Sequence, residues 1–520
     1  MDISIFDVVG PVMLGPSSSA TAGMMRIGAA ARQILTGEPK KVEILFHEHN
    51  SHFSGCRSHL GIAGGLMGYA TDDPRFPHAF EEAKKLGMKF TIGSFPASES
   101  RDILRVRLNV ESDTGARLRL AAVSCGGGNI VLETVDGVPV AMNNYDGHLC
   151  VWSEGDVSRE LAAAAPELTF QGGAGVQGFF RYAPCAACPE PTMAAIRAIP
   201  GVKRVKAAEP FFEGGNTGNP PLFRDFSEIL AFCAREDVTV AEAMIRYEEN
   251  RSGMGREYIL NRMAHQWEIM KKSVAAGIEG TARPLYGLDD GLNGRRMLEA
   301  VEAKKTLSGS VVGKAVAYGV GVMEYAMAMG CITAAPTCGS SGIMPGCLVS
   351  LQEHYGFTDE QIIEALFAST SIGVIMSFDG VRFSGVAAGC QGEMTVSAAM
   401  AAQAVACLGG GDARQIGDAA SFAVKGLLGL VCDPIGCVEV PCIKRNAEAI
   451  GATFAAADMA LAGIRSFITA DDASFALKDV QDHLPEHLRG GGGGTACTPA
   501  ACRAFAEIDR KDREYMEQNL

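Results

Sequence analysis

Across the first 155 residues, apolar and polar positions alternate in short runs broken by turn residues. "ILRVRLNVES" and "VLETVDGVPVAMNNYD" place a hydrophobic side chain at every second position, which predicts strands with one buried face. "TAGMMRIGAAARQIL" and "FPHAFEEAKKLG" space theirs three and four apart, which predicts helices set between those strands. An α+β domain over 1–155 follows. Residues 156–220 change character: "QGGAGVQGFFRYAPCAACPEP" and "EGGNTGNPPLF" are rich in glycine and proline, with one helix-then-strand unit, "TMAAIRAIPGVKRVKAAEP", between them. That stretch reads as a linker or small subdomain. From "FSEILAFCAREDVTVAEAMIRYEE" onward the period is helical throughout, as in "DEQIIEALFASTSIGVIM" and "EAIGATFAAADMALAGIRSFI", so 221–520 is predicted to be a large all-α domain closed by the charged helix "RAFAEIDRKDREYMEQ".

Composition narrows the function. Nearly half of the 520 residues are apolar and 62 are glycine, which favours closely packed helices and glycine-lined turns over aromatic cores. The net charge of −14 argues against nucleic acid, whose phosphates reward lysine and arginine. "MDISIFDVVGPVML" lacks a basic stretch ahead of its apolar residues, so no secretory signal is expected. "VVGKAVAYGVGVMEYAMAMGCITAAP" is interrupted by Lys314 and Glu324 and reads as a buried helix, not a membrane span. A reducing, cytoplasmic setting follows, in which 16 cysteines are not a disulfide framework.

Three of those cysteines stand in turn-rich sequence. "AAGCQGE" sets Cys390 between glycines, "CDPIG" puts Cys432 before an Asp-Pro turn, and "VPCIKRN" puts Cys442 after a proline. Thiolates converging from loops are what an iron–sulfur cluster needs. Their spacing matches neither a ferredoxin nor a zinc ribbon, so local sequence leaves two readings, cluster ligands or buried core thiols. The CxxC at Cys185–Cys188 has no second pair and reads as two loop cysteines. "GPSSSATAG" offers Ser17, Ser18, Ser19 and Thr21 ahead of a helix, suited to a carboxylate or to an ordinary helix cap. "SCGGG", with Ser124, Gly126 and Gly127, and "PTCGSSG", with Thr337 and Gly339, are two further loops of glycine and hydroxyls. "HEHNSH" could hold zinc or present a base through His47, His49 or His52. His59 and His148 are further candidate bases. Lys271 and Lys272 read as a solvated helix face, and no lysine stands in a context that suits pyridoxal phosphate.

"SGVAAGCQGEMTVSAAMAA", "GLVCDPIGCVEVPCIKRNA" and "ITAAPTCGSSGIMPG" resemble the α domain of the iron–sulfur-dependent L-serine dehydratases (serine ammonia-lyases). "IFDVVGPVMLGPSSSATAGMMRIG", "GGLMGYATDDPRF" and "SCGGGNIVLETVDG" resemble their β domain, in the same order. The resemblance implies that Cys390, Cys432 and Cys442 hold a [4Fe-4S] cluster with one iron open to substrate, and that Cys437 is a neighbour, not a ligand. It favours carboxylate binding by the "SSSAT" loop and suggests a homodimer. Departures cluster in the implied site: Ala20 where the family has histidine, Cys56 and His59 where it has histidine and aspartate, Cys338 where a small residue is commoner, and "EQNL" where some fused members end in cysteine. The expectation is a cytoplasmic lyase eliminating water from L-serine or a similar small β-substituted acid, with no nucleic-acid or membrane partner. Two alternatives are elimination of another leaving group, as in cysteine desulfidation, and a non-catalytic amino-acid-binding protein.

Overall fold

The computed structural model of the chain describes residues 3–50, 54–142, 145–185, 189–211, 215–490 and 492–519. Its contacts divide into two compact units. One comprises Met1–Ser19, Gly126–Gly128 and Thr217–Glu514; the other comprises Ala20–Cys125, Asn129–Asn216 and Tyr515–Leu520. The fold is thus an α/β region of sheets and helices followed by a large helical region.

The helical unit is built on long helices, among them Arg256–Ile278, Gly309–Met327, Ile343–Tyr355, Asp359–Phe378, Met394–Leu408 and Cys442–Leu461. Local sequence starts several of them. The Thr358 hydroxyl accepts from Gln361 N at 3.3 Å and Asp412 from Gln415 N at 2.8 Å, each satisfying a free N–H of the first turn. Glycine lets the helices approach: a Cβ on Gly277 would lie 2.3 Å from the carbonyl carbon of Gly321 on the facing helix. Asp359–Phe378 is long and apolar enough to cross a membrane, but 78% of its most apolar window is buried inside the protein. The helix expected through "AGIRSFI" instead ends at Leu461, and Gly463 follows with φ +81°.

The chain's start belongs with this unit, although its sequence reads as part of the first α+β region. Val12–Leu14 pairs antiparallel with Cys331–Thr333. The Ser4 hydroxyl and Ile5 N donate to Glu248 at 2.9 and 3.0 Å, and Glu248 is paired with the buried Arg251. These are long-range contacts that no local pattern announces.

The other unit holds two sheets. The six-stranded sheet runs, edge to edge, Lys89–Phe95, Pro39–His47, Arg105–Ser112, Arg117–Gly126, Asn129–Val135 and Val138–Pro139, with only the first pair parallel among the registered pairs. Helices Gly23–Ile34 and Ser58–Leu66 accompany it and meet closely, since a Cβ on Gly65 would lie 1.9 Å from Met25 O. The second sheet, in the order Val202–Ala208, His148–Ser153, Gly178–Pro184, Gln171–Gly175, is antiparallel throughout. With helices Ser158–Ala164 and Glu190–Arg197 between its strands it forms a βαββαβ unit. Leu149, Val151, Leu161 and Ile196 fill its core. The glycine-rich segment 156–220 is therefore largely ordered structure, and the module it belongs to opens earlier, at His148.

Candidate active site

Cys390, Cys432 and Cys442 reach one neighbourhood of the helical unit from three separate segments. Cys390 opens the single turn Cys390–Gly392, which leads into helix Met394–Leu408. Cys432 lies in an extended stretch: its N–H donates to Leu488 O at 2.8 Å and its carbonyl accepts from Gly490 N at 2.7 Å. Cys442, expected on a loop, is the first residue of helix Cys442–Leu461, with Pro441 as its cap. There the helix dipole favours a thiolate. All three are buried free thiols. Burial pushes the Cys390 thiol up to about 12, helped by Glu393. Burial, Glu393 and Cys390 likewise push Cys432 up, and burial, Cys390 and Glu393 push Cys442 up. Each sulfur thus resists ionising beside the others, a conflict that a bound cation removes.

Glycine packs directly against this group. A Cβ on Gly385 would lie 2.6 Å from Cys432 Sγ and 2.8 Å from Glu393 Oε2. Soft, buried sulfur donors are the ligand chemistry an iron–sulfur cluster needs, and glycine at 385 keeps a side chain from crowding Cys432.

Two residues that sequence reasoning missed organise the surroundings. Arg445, one turn into the helix that Cys442 begins, donates to Val431 O at 2.8 Å and pairs with Asp433 at 2.7 Å, so it grips both sides of Cys432. Burial works against its charge, but Cys390, Asp433 and Cys442 more than restore it and hold the guanidinium firmly protonated. Asp433 in turn accepts from Thr495 N and Thr495 Oγ1, both at 2.7 Å. A clasp results, joining the Cys442 helix, the Cys432 stretch and the glycine-rich loop near 490–495. Asn446 makes a second tie, with Nδ2 donating to Gly339 O and Cys442 O at 2.9 Å each. The signal for both was in "PCIKRNA": residues three and four beyond a helix-opening cysteine lie near it on the same face.

Glu393 is a third missed residue. Burial raises its pKa, against the stabilising pull of the nearby Thr337 hydroxyl and of Arg445. A Cβ on Gly339 would approach its Oε1 to 3.2 Å. Thr337 and Gly339, predicted from "PTCGSSG", therefore stand beside a carboxylate that the cysteines also feel.

Ser18 joins the same loop: Cys338 N donates to Ser18 Oγ at 3.2 Å. The pairing of Val12–Leu14 with Cys331–Thr333 sets this register. Gly126 also belongs here, since a Cβ on it would lie 2.2 Å from Phe383 O, two residues before Gly385. Gly127 falls in the same unit and has φ +58°. Ser17 and Ser19 lie in that unit as well. The alternative reading of these hydroxyls, an ordinary helix cap, is not realised. Ser18–Ala22 forms a π-helical turn, and helix Gly23–Ile34 begins at Ala22 without a side-chain cap.

The remaining candidates belong to the other unit. Thr21 Oγ1 donates to Cys56 O at 2.6 Å, and Ser124 Oγ to Asn129 O at 3.4 Å. His59 is buried in helix Ser58–Leu66 beside Phe80 and Tyr515. His148 is buried against Tyr182 and Phe211, and burial, offset only in part by the Asp146 backbone, lowers its pKa to about 4. His47 ends its strand with Nε2 at 3.1 Å from Ser100 O and Nδ1 accepting from His49 N at 3.1 Å, so both nitrogens are engaged. His52 and Cys188 lie outside the described residues. Lys271 pairs with Asp359 at 2.8 Å and Lys272 with Glu268 at 3.6 Å, as a helix surface requires. Among the described residues, one group of carboxylates, Asp289, Asp290 and Glu324, converges closely enough for a metal ion. Lys444 pairs with Asp289, however, and Glu324 accepts from Asn293 N and Gly294 N at 2.9 and 3.1 Å, so local cations and amides take up this charge.

Thiols gathered beside an enclosed carboxylate and loops of hydroxyls and glycine make a candidate small-molecule site on a helical scaffold. The family model described as serine dehydratase alpha chain matches residues 235–493, which contain all three cysteines. The probable L-serine dehydratase alpha chain of Bacillus subtilis (strain 168) is 36% identical over 292 residues, covering 56% of this chain and 95% of that protein. The L-serine dehydratase alpha chain of Peptoniphilus asaccharolyticus is 34% identical over 271 residues, 52% of this chain and 92% of that one. L-serine dehydratase 1 of Escherichia coli (strain K12) is 32% identical over 247 residues, 46% of this chain and 54% of that one. The chain belongs to the L-serine dehydratase family, a family of lyases.

Proposed function

We propose that this protein is an iron–sulfur-dependent lyase that eliminates water from L-serine or a closely similar β-substituted acid, giving pyruvate and ammonia from serine. The observation that carries the reading is the meeting of three buried thiols, Cys390, Cys432 and Cys442, with Glu393 and a glycine wall at Gly385. Cys390, Cys432 and Cys442 would hold a [4Fe-4S] cluster, whose open iron supplies Lewis acidity to the departing hydroxyl. The protein's own groups do the rest. Arg445 offsets thiolate charge and fixes the Cys432 stretch. Ser18 and the Thr337–Gly339 loop offer hydroxyls and backbone amides suited to a substrate carboxylate. Gly126 and Gly339 keep that neighbourhood free of side chains. Thiols that must stay reduced suit the cytoplasm.

The test is anaerobic purification followed by iron and acid-labile sulfide analysis, with L-serine, L-threonine and L-cysteine assayed in parallel. About four irons and four sulfides per chain and preferred turnover of serine are expected. Cys432→Ser is expected to lose most of both iron and turnover. Wild-type protein free of iron and sulfide would falsify the reading, and faster turnover of cysteine would replace its substrate.

A further inference from the structure

The proposed substrate is a zwitterion, and its two charges need different seats. The hydroxyl and glycine loops suit its carboxylate. Around the cysteines the cation is Arg445, and it is already committed to Asp433 at 2.7 Å and Val431 O at 2.8 Å. Glu393 is the group left with charge to give. It begins helix Met394–Leu408 as its N-cap residue and is mostly enclosed, and the Thr337 hydroxyl near its carboxylate is uncharged. Glycine flanks the carboxylate on two sides: a Cβ would lie 3.2 Å from Oε1 at Gly339 and 2.8 Å from Oε2 at Gly385. Glycine at both positions keeps side chains off the carboxylate, and Gly385 also adjoins Cys432 Sγ.

An enclosed carboxylate beside three thiols is an electrostatic demand for a cation. A compact ammonium with three donors answers it with the least bulk. We propose that Glu393 is the seat of the substrate's α-ammonium group, and that it makes the enzyme select α-amino acids over acids lacking the amino group. This rests on the serine-type reading above and deepens it. Gly339 and Gly385 set how large the cationic group can be.

The experiment compares wild type, Glu393→Gln and Glu393→Asp as full-length anaerobic protein. It measures iron and sulfide content, kcat and KM for L-serine, and calorimetric binding of L-serine and of 3-hydroxypropanoate, which is serine without its amino group. Glu393→Gln is expected to retain wild-type iron and sulfide, to weaken serine binding and raise KM by about thirtyfold or more, and to leave 3-hydroxypropanoate within about twofold. Glu393→Asp keeps the charge with shorter reach and is expected to fall between the two. Loss of iron in both variants would assign the carboxylate to cofactor support instead. A fall in kcat at unchanged KM would assign it to proton transfer, and equal weakening of both ligands would assign it to general pocket shape. Each of these overturns the proposal. Wild type lacking iron and turnover sinks the serine-dehydratase reading itself, and calorimetry on that same protein still decides the ammonium seat. Serine binding that is insensitive to Glu393→Gln then overturns it.

Discussion

At the scale of single residues, the site is set by what is missing as much as by what is present. Gly385 begins a one-turn helix, where alanine ordinarily gains about 0.5–1 kcal/mol over glycine. Its neighbours cancel that advantage, because the added carbon would stand 2.6 Å from Cys432 Sγ. Gly385→Ala is therefore expected to leave the thermal midpoint of iron-free protein within a few degrees of wild type while cutting iron retention about tenfold. Iron analysis beside calorimetry separates the two effects, and full iron retention would show that Cys432 has room to spare. The cysteines were readable from sequence as candidates because glycine and proline flank them. Glu393 was not, because a glutamate ahead of an apolar helix looks like an ordinary solvated residue until its partners are known.

Among elements, the clasp Arg445–Asp433–Thr495 joins a helix, an extended stretch and a glycine loop that are up to 62 residues apart in sequence. Outer partners that orient a ligand matter nearly as much as the ligand itself. Asp433 is almost wholly buried, and its hydrogen bonds with Thr495, together with Arg445, overcome the burial that would raise its pKa. Thr495→Val removes the hydroxyl donor and keeps the backbone one. Expected is about tenfold faster release of iron to a chelator, with the circular dichroism spectrum unchanged. Release at the wild-type rate would mean that the glycine loop does not restrain Cys432. Helix identity in this region followed from periodicity and capping. The clasp did not, since hydrogen bonding between distant segments leaves no periodic trace.

Across the whole molecule, each compact unit carries one of the two tryptophans, Trp152 in the sheet-containing unit and Trp267 in the helical one. Their stabilities can therefore be followed separately. His148, buried in the sheet-containing unit, has a native pKa of about 4 against an ordinary 6.5. Between those values the unfolded chain binds more protons than the folded one, so stability is full above pH 6.5 and falls as pH drops toward 4. The loss amounts to at most about 3 kcal/mol. In a Trp267→Phe background, urea midpoints reported by Trp152 are expected to decline through this window, and His148→Phe to flatten the decline. An unchanged slope in His148→Phe would place the acid sensitivity elsewhere.

Sequence by itself determined the α+β and all-α regions and the family, and it singled out the three cysteines and the loops of glycine and hydroxyls as candidates, because periodicity, turn chemistry and motif are local properties of a chain. Tertiary structure alone decided that residues 3–19 pack with the helical unit, that Glu248 receives Ser4 and Ile5, and that Glu393, Arg445 and Thr495 gather around the cysteines. Those choices depend on which distant groups can satisfy a buried charge or an unpaired amide, and that is settled only when the chain has folded.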